Sequence, residues 1–473
     1  MTLTDINNII KIDWYTMNIV MFKDAYWPRV NGVTVSVDSF SHALVNAGHD
    51  VLIVCSSYPQ DADNPITLQK ETEIEKKPKI LKVPSLPVFI SSEDRISKFY
   101  KWNWVFKHVD LFKPDLIHVN TEMVIAEFGF LYARIHNLPA VYTFHTMWED
   151  YAPGYFDFLP VNVVKYFVRR ILINVLNRSY RVIVPTPQIE KEVHKYKSDI
   201  ITHLLPTGID IKLFEHSKEE SDVFRKRIEE LFPQLQNKRI LLFAGRVGKE
   251  KNIGLLLDIL PKILEKYPDV ILLIAGSGPD LEYYKEEARK KGIEESCLFP
   301  GYFSRNDLAL VYTISEVFVF PSLTDTQGLV TLESMISGTP VVAIGVLGTL
   351  SVMGGNNGGF MVKNDAGEFT ARVLDLLGDR ELRMKKGQEA KIHASSWSIE
   401  ELTKKLVMFY NMVIKDYTED YGNRVTPAWE AIINKRWWKI NNMIIKKRTR
   451  QNLEKLLTKL GINKLSWDIG DNL

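Results

Sequence analysis

The chain has few cysteines and no long apolar run. Its 473 residues include only two cysteines, Cys55 and Cys297, far apart and each inside a short apolar stretch. This argues against a disulfide framework and a cysteine metal site, and favours a reducing compartment. No apolar run approaches the roughly 18 residues of a membrane span, and residues 1–15 lack the regions of a signal peptide. We expect a cytoplasmic protein that does not cross a membrane.

A strong excess of one charge is also missing. The formal net charge is +2, with 25% charged and 45% hydrophobic residues, which excludes a disordered or fibrous chain. The balance hides an asymmetry, because residues 421–473 contain 11 Lys and Arg against 4 Asp and Glu. This tail therefore carries +7 and the remainder −5. A basic tail on a mildly acidic body predicts an anionic partner, either a membrane or a nucleic acid.

The length predicts two domains of about 200 residues each and a tail. Short β-branched runs alternate with helix-period segments, which predicts parallel sheets with right-handed crossovers. The first series of strands is expected at Asn18–Lys23, Asp50–Ser56, Leu116–Val119, Ala140–His145 and Val182–Pro185. The second series is expected at Ile240–Ala244, Val270–Ala275, Cys297–Pro300, Val317–Pro321 and Val341–Ala343.

The domain limits follow from these two series. The first domain is predicted at 17–205 and the second at 206–397. A helix at about 398–416 has apolar residues at helical spacing and is expected to return to the first domain. A basic amphipathic tail is expected at 421–473.

In doubly wound sheets, ligands bind beyond the carboxyl ends of the strands. Arg246 and Lys251 follow the strand at Ile240–Ala244 and precede a helix. Two fixed cations in a closed, low-dielectric cleft would stabilise a diphosphate leaving group. A solvated charged loop is the alternative.

A second loop carries two carboxylates, Asp325 before a predicted helix and Glu333 inside it. The backbone amides of Gly328 and Leu329 would lie at the N-terminus of that helix, where an anion is favoured. The neighbouring carboxylates can accept hydrogen bonds from sugar or ribose hydroxyls.

Together, Arg246, Lys251, Asp325 and Glu333 resemble the signature of family-4 retaining glycosyltransferases of the GT-B fold, in which two Rossmann-like domains face a cleft. The resemblance covers about residues 17–415. It implies that Arg246 and Lys251 bind the donor diphosphate, that Glu333 binds the ribose and that Asp325 binds a sugar hydroxyl. The family usually has Glu in place of Asp325, and residues 345–351 also depart from its commoner glycine-rich, Glu-containing pattern.

The first domain supplies further candidates. Gly32 follows the first strand, where a missing side chain lets backbone approach a phosphate or sugar, although a simple turn would also explain it. The segment that begins Phe144-His145-Thr146 is most similar to bacterial lipid glycosyltransferases, especially diacylglycerol α-glucosyltransferases. That similarity implies a contact between His145 and the donor sugar; a histidine packed at a strand end is the alternative. The acceptor-side candidates are His118, Glu122 and Asp150, with helix capping as the alternative for the two acids.

The resemblance implies retention by a front-face route with no protein nucleophile, through an oxocarbenium-like transition state. It implies no cofactor and no metal ion. Asp61 and Asp63 resemble the metal-binding pair of the other transferase fold, but they lie in a polar loop instead of at a strand end.

Two basic segments favour a membrane as the anionic partner. Residues 159–181 contain five Lys and Arg and no acid, interleaved with apolar residues. Residues 435–450 combine tryptophans with a basic cluster, a pattern suited to lipid headgroups. No nucleic-acid recognition fold accompanies either segment. A packed surface helix is the alternative for residues 159–181.

These observations lead to one expectation, a retaining hexosyltransferase at the inner face of the membrane. It is expected to move the glucose of UDP-glucose to a membrane lipid such as diacylglycerol. A transferase for a soluble or polyprenyl-linked glycan is the nearest alternative. A non-catalytic nucleotide-sugar-binding protein and an epimerase on the same fold are more distant ones.

Overall fold

The protein is described by a computed structural model that covers residues 16–29, 31–58, 77–88, 91–154, 156 and 159–421. The Asp61 and Asp63 pair, the tail beyond Tyr421 and its basic cluster at 435–450 lie outside the described residues.

The first half of the chain forms a seven-stranded parallel sheet in the order β3-β2-β1-β6-β7-β8-β9, with a separate β4-β5 hairpin. The strands are β1 (Asn18–Lys23), β2 (Asp50–Ser56), β3 (Lys79–Val83), β4 (Ser85–Val88), β5 (Ser91–Ser97), β6 (Leu116–Val119), β7 (Ala140–Thr143), β8 (Arg181–Val184) and β9 (Thr202–Leu204). The helices are α1 (Gly32–Asn46), α2 (Trp102–Phe112), α3 (Val124–His136), α4 (Trp148–Tyr151), α5 (Val161–Arg178) and α6 (Pro187–Tyr196).

The second half forms a six-stranded parallel sheet in the order β12-β11-β10-β13-β14-β15. Its strands are β10 (Arg239–Ala244), β11 (Val270–Ala275), β12 (Cys297–Gly301), β13 (Val317–Phe320), β14 (Val341–Ile344) and β15 (Gly359–Val362). Its helices are α7 (Lys218–Leu231), α8 (Ile253–Lys266), α9 (Leu281–Lys290), α10 (Arg305–Thr313), α11 (Leu329–Ile336), α12 (Leu347–Met353), α13 (Ala366–Gly378) and α14 (Arg380–Ala394). The expected architecture of two Rossmann-like domains is confirmed.

The central strands are continuous apolar runs because helices cover both faces of each sheet. β11, for example, is buried along its whole length. All ten expected strands are present, with ends within two residues of the expected ones. Cys55 and Cys297 lie buried and unpaired in β2 and β12. The sequence reading did not identify the short or edge strands β3, β4, β5, β9 and β15.

The last described helix, α15 (Ile399–Tyr421), packs on the first sheet and not on the second. Leu402, Leu406 and Tyr410 join the same buried cluster as Ile19 and Met21 of β1. The helix therefore completes the core of the first half. None of the helices in the described part of the chain is long and apolar enough to cross a membrane.

The chain passes between the two halves twice, at neighbouring places. Ile209 donates its N–H to Trp397 O at 2.8 Å and accepts from Ile399 N at 2.9 Å. The outgoing and returning segments thus form a short two-stranded connection.

Polar contacts also join the two halves where the carboxyl ends of the sheets meet. Arg305 of α10 donates to Ser39 Oγ of α1 at 3.1 Å, and Thr326 Oγ1 donates to His145 O at 2.6 Å. The loops that follow the strands of both sheets therefore face the same cleft.

The crossing of the two segments predicts a steric requirement at Gly208. A Cβ atom there would lie 2.5 Å from Ile399 Cα, so Gly208→Ala should lower the free energy of unfolding by about 1–3 kcal/mol. Thermal or urea unfolding measures the effect. Gly254→Ala in α8 is the matched control, because its Cβ would meet no atom within 4 Å and Ala favours the helix. Equal melting temperatures of the two variants would contradict a steric requirement for glycine at position 208.

Candidate functional site

The second sheet reverses its strand order at β10 and β13, and the loops that follow these two strands hold an ion pair. Lys251 Nζ lies 2.9 Å from Asp325 Oδ1 and 2.8 Å from Oδ2. The two side chains are only 13% and 21% exposed. A ligand normally binds at such a reversal point, so this pair marks the second-domain side of the candidate site.

Arg246 lies on the same loop as Lys251 and is paired within that loop. Its Nη1 donates to Glu250 Oε1 at 2.8 Å, and both side chains are largely buried. Gly248 permits this contact, because a Cβ there would lie 2.3 Å from a Glu250 carboxylate oxygen. The loop therefore presents two cations, each already facing a carboxylate.

Two glycines of the neighbouring loop hold the Arg246 loop in place. A Cβ at Gly276 would lie 1.8 Å from Gly245 O, and one at Gly278 would lie 2.2 Å from Val247 O. Val247 donates its N–H to Ser277 O at 2.9 Å. Backbone thus packs directly on backbone, which fixes where the loop cations emerge.

Helix α11 begins after Gly328, whose φ of 76° lies in the left-handed region that glycine tolerates. The amide of Leu329 is in the first turn, where the helix offers no acceptor to N–H groups. Gly348 packs on the same loop, since a Cβ there would lie 2.3 Å from Gln327 backbone. This contact gives a steric reason for one glycine in residues 345–351.

Glu333 lies in α11, as expected, and it is buried. Its carboxylate accepts a hydrogen bond from the Tyr312 hydroxyl at 3.0 Å. Burial raises the pKa of Glu333, while the positive charge of Arg305 and the Tyr312 hydrogen bond oppose that shift. The structure places it on the helix that follows Asp325, with no contact to Lys251 among the described hydrogen bonds.

His145 follows β7 at the facing edge of the first sheet. Its Nε2 lies 2.9 Å from Asn120 Oδ1, and an amide oxygen can only accept, so Nε2 carries the hydrogen. Burial, aided by the charge of Lys23, holds the pKa of His145 well below its ordinary value. The ring is therefore neutral, with Nδ1 as its remaining acceptor.

His118 does not share this arrangement. Its Nε2 is bonded to Thr143 Oγ1 at 2.6 Å and its Nδ1 to the Tyr410 hydroxyl at 2.7 Å. Burial lowers the pKa of His118 to about 3. The first bond joins β6 to β7 and the second joins the first sheet to α15, so both ring nitrogens already have partners in the fold. The acceptor-side role of His118 stays a prediction.

The two acidic candidates occupy different places. Glu122 is buried and accepts from Trp148 Nε1 at 2.8 Å and from the Tyr142 hydroxyl at 2.5 Å. Asp150 is exposed and pairs with Lys165 of α5 at 3.5 Å. The surface ion pair explains Asp150 without any acceptor, whereas Glu122 lies at the end of the sheet.

Gly32 opens α1 beside the second half of the chain. A Cβ there would come within 4.0 Å of Leu329 Cδ1 at the start of α11. The first-domain glycine and the second-domain helix terminus therefore meet in the cleft. Within the described ranges, no three His, Cys, Asp or Glu side chains are grouped to hold a metal ion.

Several residues of the site were not identified from sequence. Asn120 orients His145. Gln327 accepts from Thr207 N–H at 2.8 Å and donates to Thr207 O at 2.7 Å. Asn120 lies inside the segment that carried His118 and Glu122, and Gln327 lies between the two expected carboxylates. The sequence signal for Asn120 and Gln327 was that each lies beside an expected site residue. Their hydrogen-bond partners, however, are distant in sequence.

Comparisons with known proteins show the family to which the chain is similar. A family model described as Glycosyltransferase Family 4 matches residues 30–213, and one described as Glycosyl transferases group 1 matches residues 225–393. Alpha-monoglucosyldiacylglycerol synthase of Streptococcus pneumoniae is 31% identical over 336 residues, 70% of this chain and 71% of that protein. The synthase of the same name from Acholeplasma laidlawii is 26% identical over 400 residues, 83% of this chain and 96% of that protein.

Solved structures show the same fold at low identity. Sucrose-phosphate synthase from Thermosynechococcus elongatus superposes with a TM-score of 0.67 at 19% identity, covering 84% of this chain and 99% of that one. HepE from Anabaena, in complex with UDP-glucose, has a TM-score of 0.66 at 15% identity and covers 84% of this chain and 100% of that one.

The environment of Glu122 predicts a pH-dependent stability. Burial, the first cause, raises the pKa of Glu122 from 4.5 to about 7. The protonated carboxyl is therefore favoured in the folded state. Its contribution to the free energy of unfolding is present below pH 4.5 and is lost as pH rises through about 7. The pKa difference of about 2.5 corresponds to about 3 kcal/mol.

Glu122→Gln should accordingly lose less stability than wild type between pH 5 and 8, as measured by thermal unfolding. The exposed Glu219→Gln is the control and should follow the wild-type curve. Parallel curves for wild type and Glu122→Gln would refute the prediction.

Proposed function

Since the chain belongs to family 4 of the GT-B-fold glycosyltransferases, we propose that it transfers glucose from UDP-glucose to diacylglycerol with retention of configuration. One observation carries the proposal: the Lys251 and Asp325 pair lies at the cleft, next to the contact between Thr326 and His145. Groups suited to a diphosphate and to a sugar thus lie on adjoining loops. The names of the two synthases support the acceptor, and the ligand of HepE supports the donor.

The second domain would bind the donor. Arg246 and Lys251 neutralise the diphosphate, and the amides of Gly328 and Leu329 add the favourable end of the α11 dipole. Glu333 accepts from the ribose hydroxyls. In this arrangement Lys251 shares its charge between the diphosphate and Asp325, whose carboxylate accepts from a sugar hydroxyl.

The first domain would bind the sugar through His145. Its neutral ring accepts a sugar hydroxyl at Nδ1 while Asn120 holds Nε2. A neutral imidazole adds no positive charge beside an oxocarbenium-like centre. Desolvation therefore gives the ring the protonation state that the reaction requires.

The transfer itself needs no protein nucleophile. The C1–O bond to the diphosphate breaks, and its electron pair stays on the phosphate oxygen. The acceptor oxygen forms the new bond to C1 on the same face, and its proton passes to the departing phosphate oxygen. No metal ion or cofactor enters this scheme, because Arg246 and Lys251 supply the positive charge.

Helix α5 supports an acceptor drawn from a membrane. Its outer face exposes Val163, Tyr166, Phe167 and Ile171, with Arg170 among them. An exposed apolar stripe on a surface helix is suited to the boundary of headgroups and acyl chains. We propose that this stripe rests on the inner face of the cytoplasmic membrane, together with the basic cluster at 435–450.

The charges of α5 refine this proposal. Lys165 and Arg169 pair with Asp150 and Glu149 of α4, at 3.5 and 3.7 Å. Arg178 also pairs with Glu127 of α3 at 2.6 Å, so three cations of α5 are partly neutralised by the protein itself. We therefore expect α5 to bind the membrane mainly through its apolar side chains. The attraction to anionic lipid should come mainly from the basic tail.

Transfer to diacylglycerol tests the proposed reaction. Wild type incubated with UDP-glucose and vesicles of dioleoylglycerol and anionic phospholipid should form an α-glucosyl lipid, detected by mass spectrometry and NMR. Lys251→Met should lower the rate at least about 100-fold, because a fixed cation opposite the leaving group is lost. Lys249→Met, an exposed lysine of the same loop, should stay within about twofold. Product only with soluble or polyprenyl-linked acceptors would reject the lipid assignment.

Vesicle co-sedimentation tests the α5 stripe. Phe167→Asp places a charge at a side chain that is 60% exposed, so it should weaken vesicle binding several-fold without altering stability. Leu111→Asp on α2, at a site 83% exposed, is the matched control and should bind vesicles like wild type. Equal binding by both variants would show that α5 is only a packed surface helix.

A further inference from the structure

Lys23 is a buried lysine at the point where the first sheet reverses its strand order. It is the last residue of β1, which lies between β2 and β6 at the centre of the sheet. Only 3% of its surface is exposed. Crevices at such reversal points are where open α/β sheets bind ligands, so the position itself indicates a functional side chain.

The Lys23 ammonium forms no hydrogen bond or ion pair with any residue in the described part of the chain. The nearby carboxylates are directed to other donors. Asp24 accepts from the Thr121 hydroxyl and from Ile125 N–H at 3.2 Å, and Glu122 accepts from Tyr142 and Trp148. A desolvated ammonium without a direct partner is costly, and an apolar side chain would fill the same space without that cost.

Charges around Lys23 keep it largely protonated near neutral pH. Burial lowers its pKa to about 8, while Asp24, Cys55 and Glu122 act in the opposite direction and Arg29 adds to the lowering. These groups lie on β1 or its loop, on β2 and after β6. His145, after β7, is in turn affected by the Lys23 charge. All of them belong to the first half of the chain, on the acceptor side of the cleft.

We propose that Lys23 donates a hydrogen bond to the hydroxyl oxygen of the acceptor alcohol. This inference rests on the proposed transfer reaction and adds a substrate contact to it. The ammonium fixes the oxygen for attack on C1 and stabilises the negative charge that develops as its proton leaves for the phosphate oxygen. The buried, unpaired state of Lys23 is then the form that receives the acceptor.

Lys23→Met tests the proposal, with Lys23→Arg as the charge-conserving variant. Lys107→Met on α2, at an exposed lysine, is the control. For each protein we would measure transfer to dioleoylglycerol vesicles, hydrolysis of UDP-glucose without acceptor, the dissociation constant of UDP and thermal unfolding. Transfer by Lys23→Met should fall at least about tenfold, while UDP binding and hydrolysis stay within about twofold. The melting temperature should be unchanged or higher.

The pH profile gives a second readout. Wild-type transfer should decline as pH rises through about 8, because Lys23 loses its proton, and this limb should be absent from the residual activity of Lys23→Met. Lys23→Arg should move the decline to higher pH. Hydrolysis without acceptor should show no such limb in any variant.

Three results would overturn the inference. These are wild-type transfer by Lys23→Met, an equal loss of transfer and donor hydrolysis, and a loss of UDP binding, which would place Lys23 on the donor side. If wild type gives no product with diacylglycerol, the proposed function fails instead. The same comparison would then use the acceptor that does give product, so the two failures are distinguishable.

Discussion

The cleft depends on one side chain that bonds to both backbone polar groups of a single buried residue. Gln327 accepts from the N–H of Thr207 and donates to its carbonyl, and Thr207 lies on the segment that joins the two sheets. Without Gln327, the N–H and the carbonyl of buried Thr207 would be an unsatisfied donor and acceptor, at a cost of about 1–3 kcal/mol for each. Gln327 therefore fixes the Asp325 loop relative to the connection between the domains. The contact of Thr326 with His145 follows from that placement.

Desolvation sets the chemistry on both sides of the cleft. Burial raises the pKa of Glu122 and Glu333 and lowers that of Lys23 and His145. Each shift favours the neutral form of the side chain. On the second domain, Lys251 pairs with Asp325, and Arg246 pairs with Glu250. The wall from the second domain thus carries paired charges. The wall from the first domain carries buried groups whose pKa values are shifted towards the neutral form, with Lys23 still largely protonated near neutral pH.

The sequence was most informative about features that depend on neighbouring residues along the chain. Continuous apolar runs located the central strands, because a strand covered on both faces must be apolar throughout. The loop cations and carboxylates were found because they directly follow such strands. The short edge strands, β9 and β15 among them, have weaker patterns and were missed. The fold and the family were thus readable from sequence, and the roles of the individual site residues stay predictions.

Tertiary partners were not readable in the same way. His118 bonds to Thr143 and to Tyr410, which is 292 positions away, and no local pattern announces such a contact. The bonding of Gln327 to Thr207 spans 120 positions, and the ion pair of Asp150 with Lys165 joins two different helices. Likewise, only the structure shows that Gly276 and Gly278 pack against the Arg246 loop. The sequence thus identifies residues whose side chains could bind a substrate. The packing of the fold decides which of these side chains are not already bonded to other residues.

The double passage of the chain at Ile209 and Ser398 has a mechanical consequence. A single covalent connection would let one domain twist freely against the other. Two adjacent segments held together by backbone hydrogen bonds should instead act as a two-segment hinge. Such a hinge permits rotation of the domains about one axis and resists twisting about the others. Opening of the enzyme to admit substrates should therefore be a rotation about one axis. Each closure should then return the two domains to the same relative position.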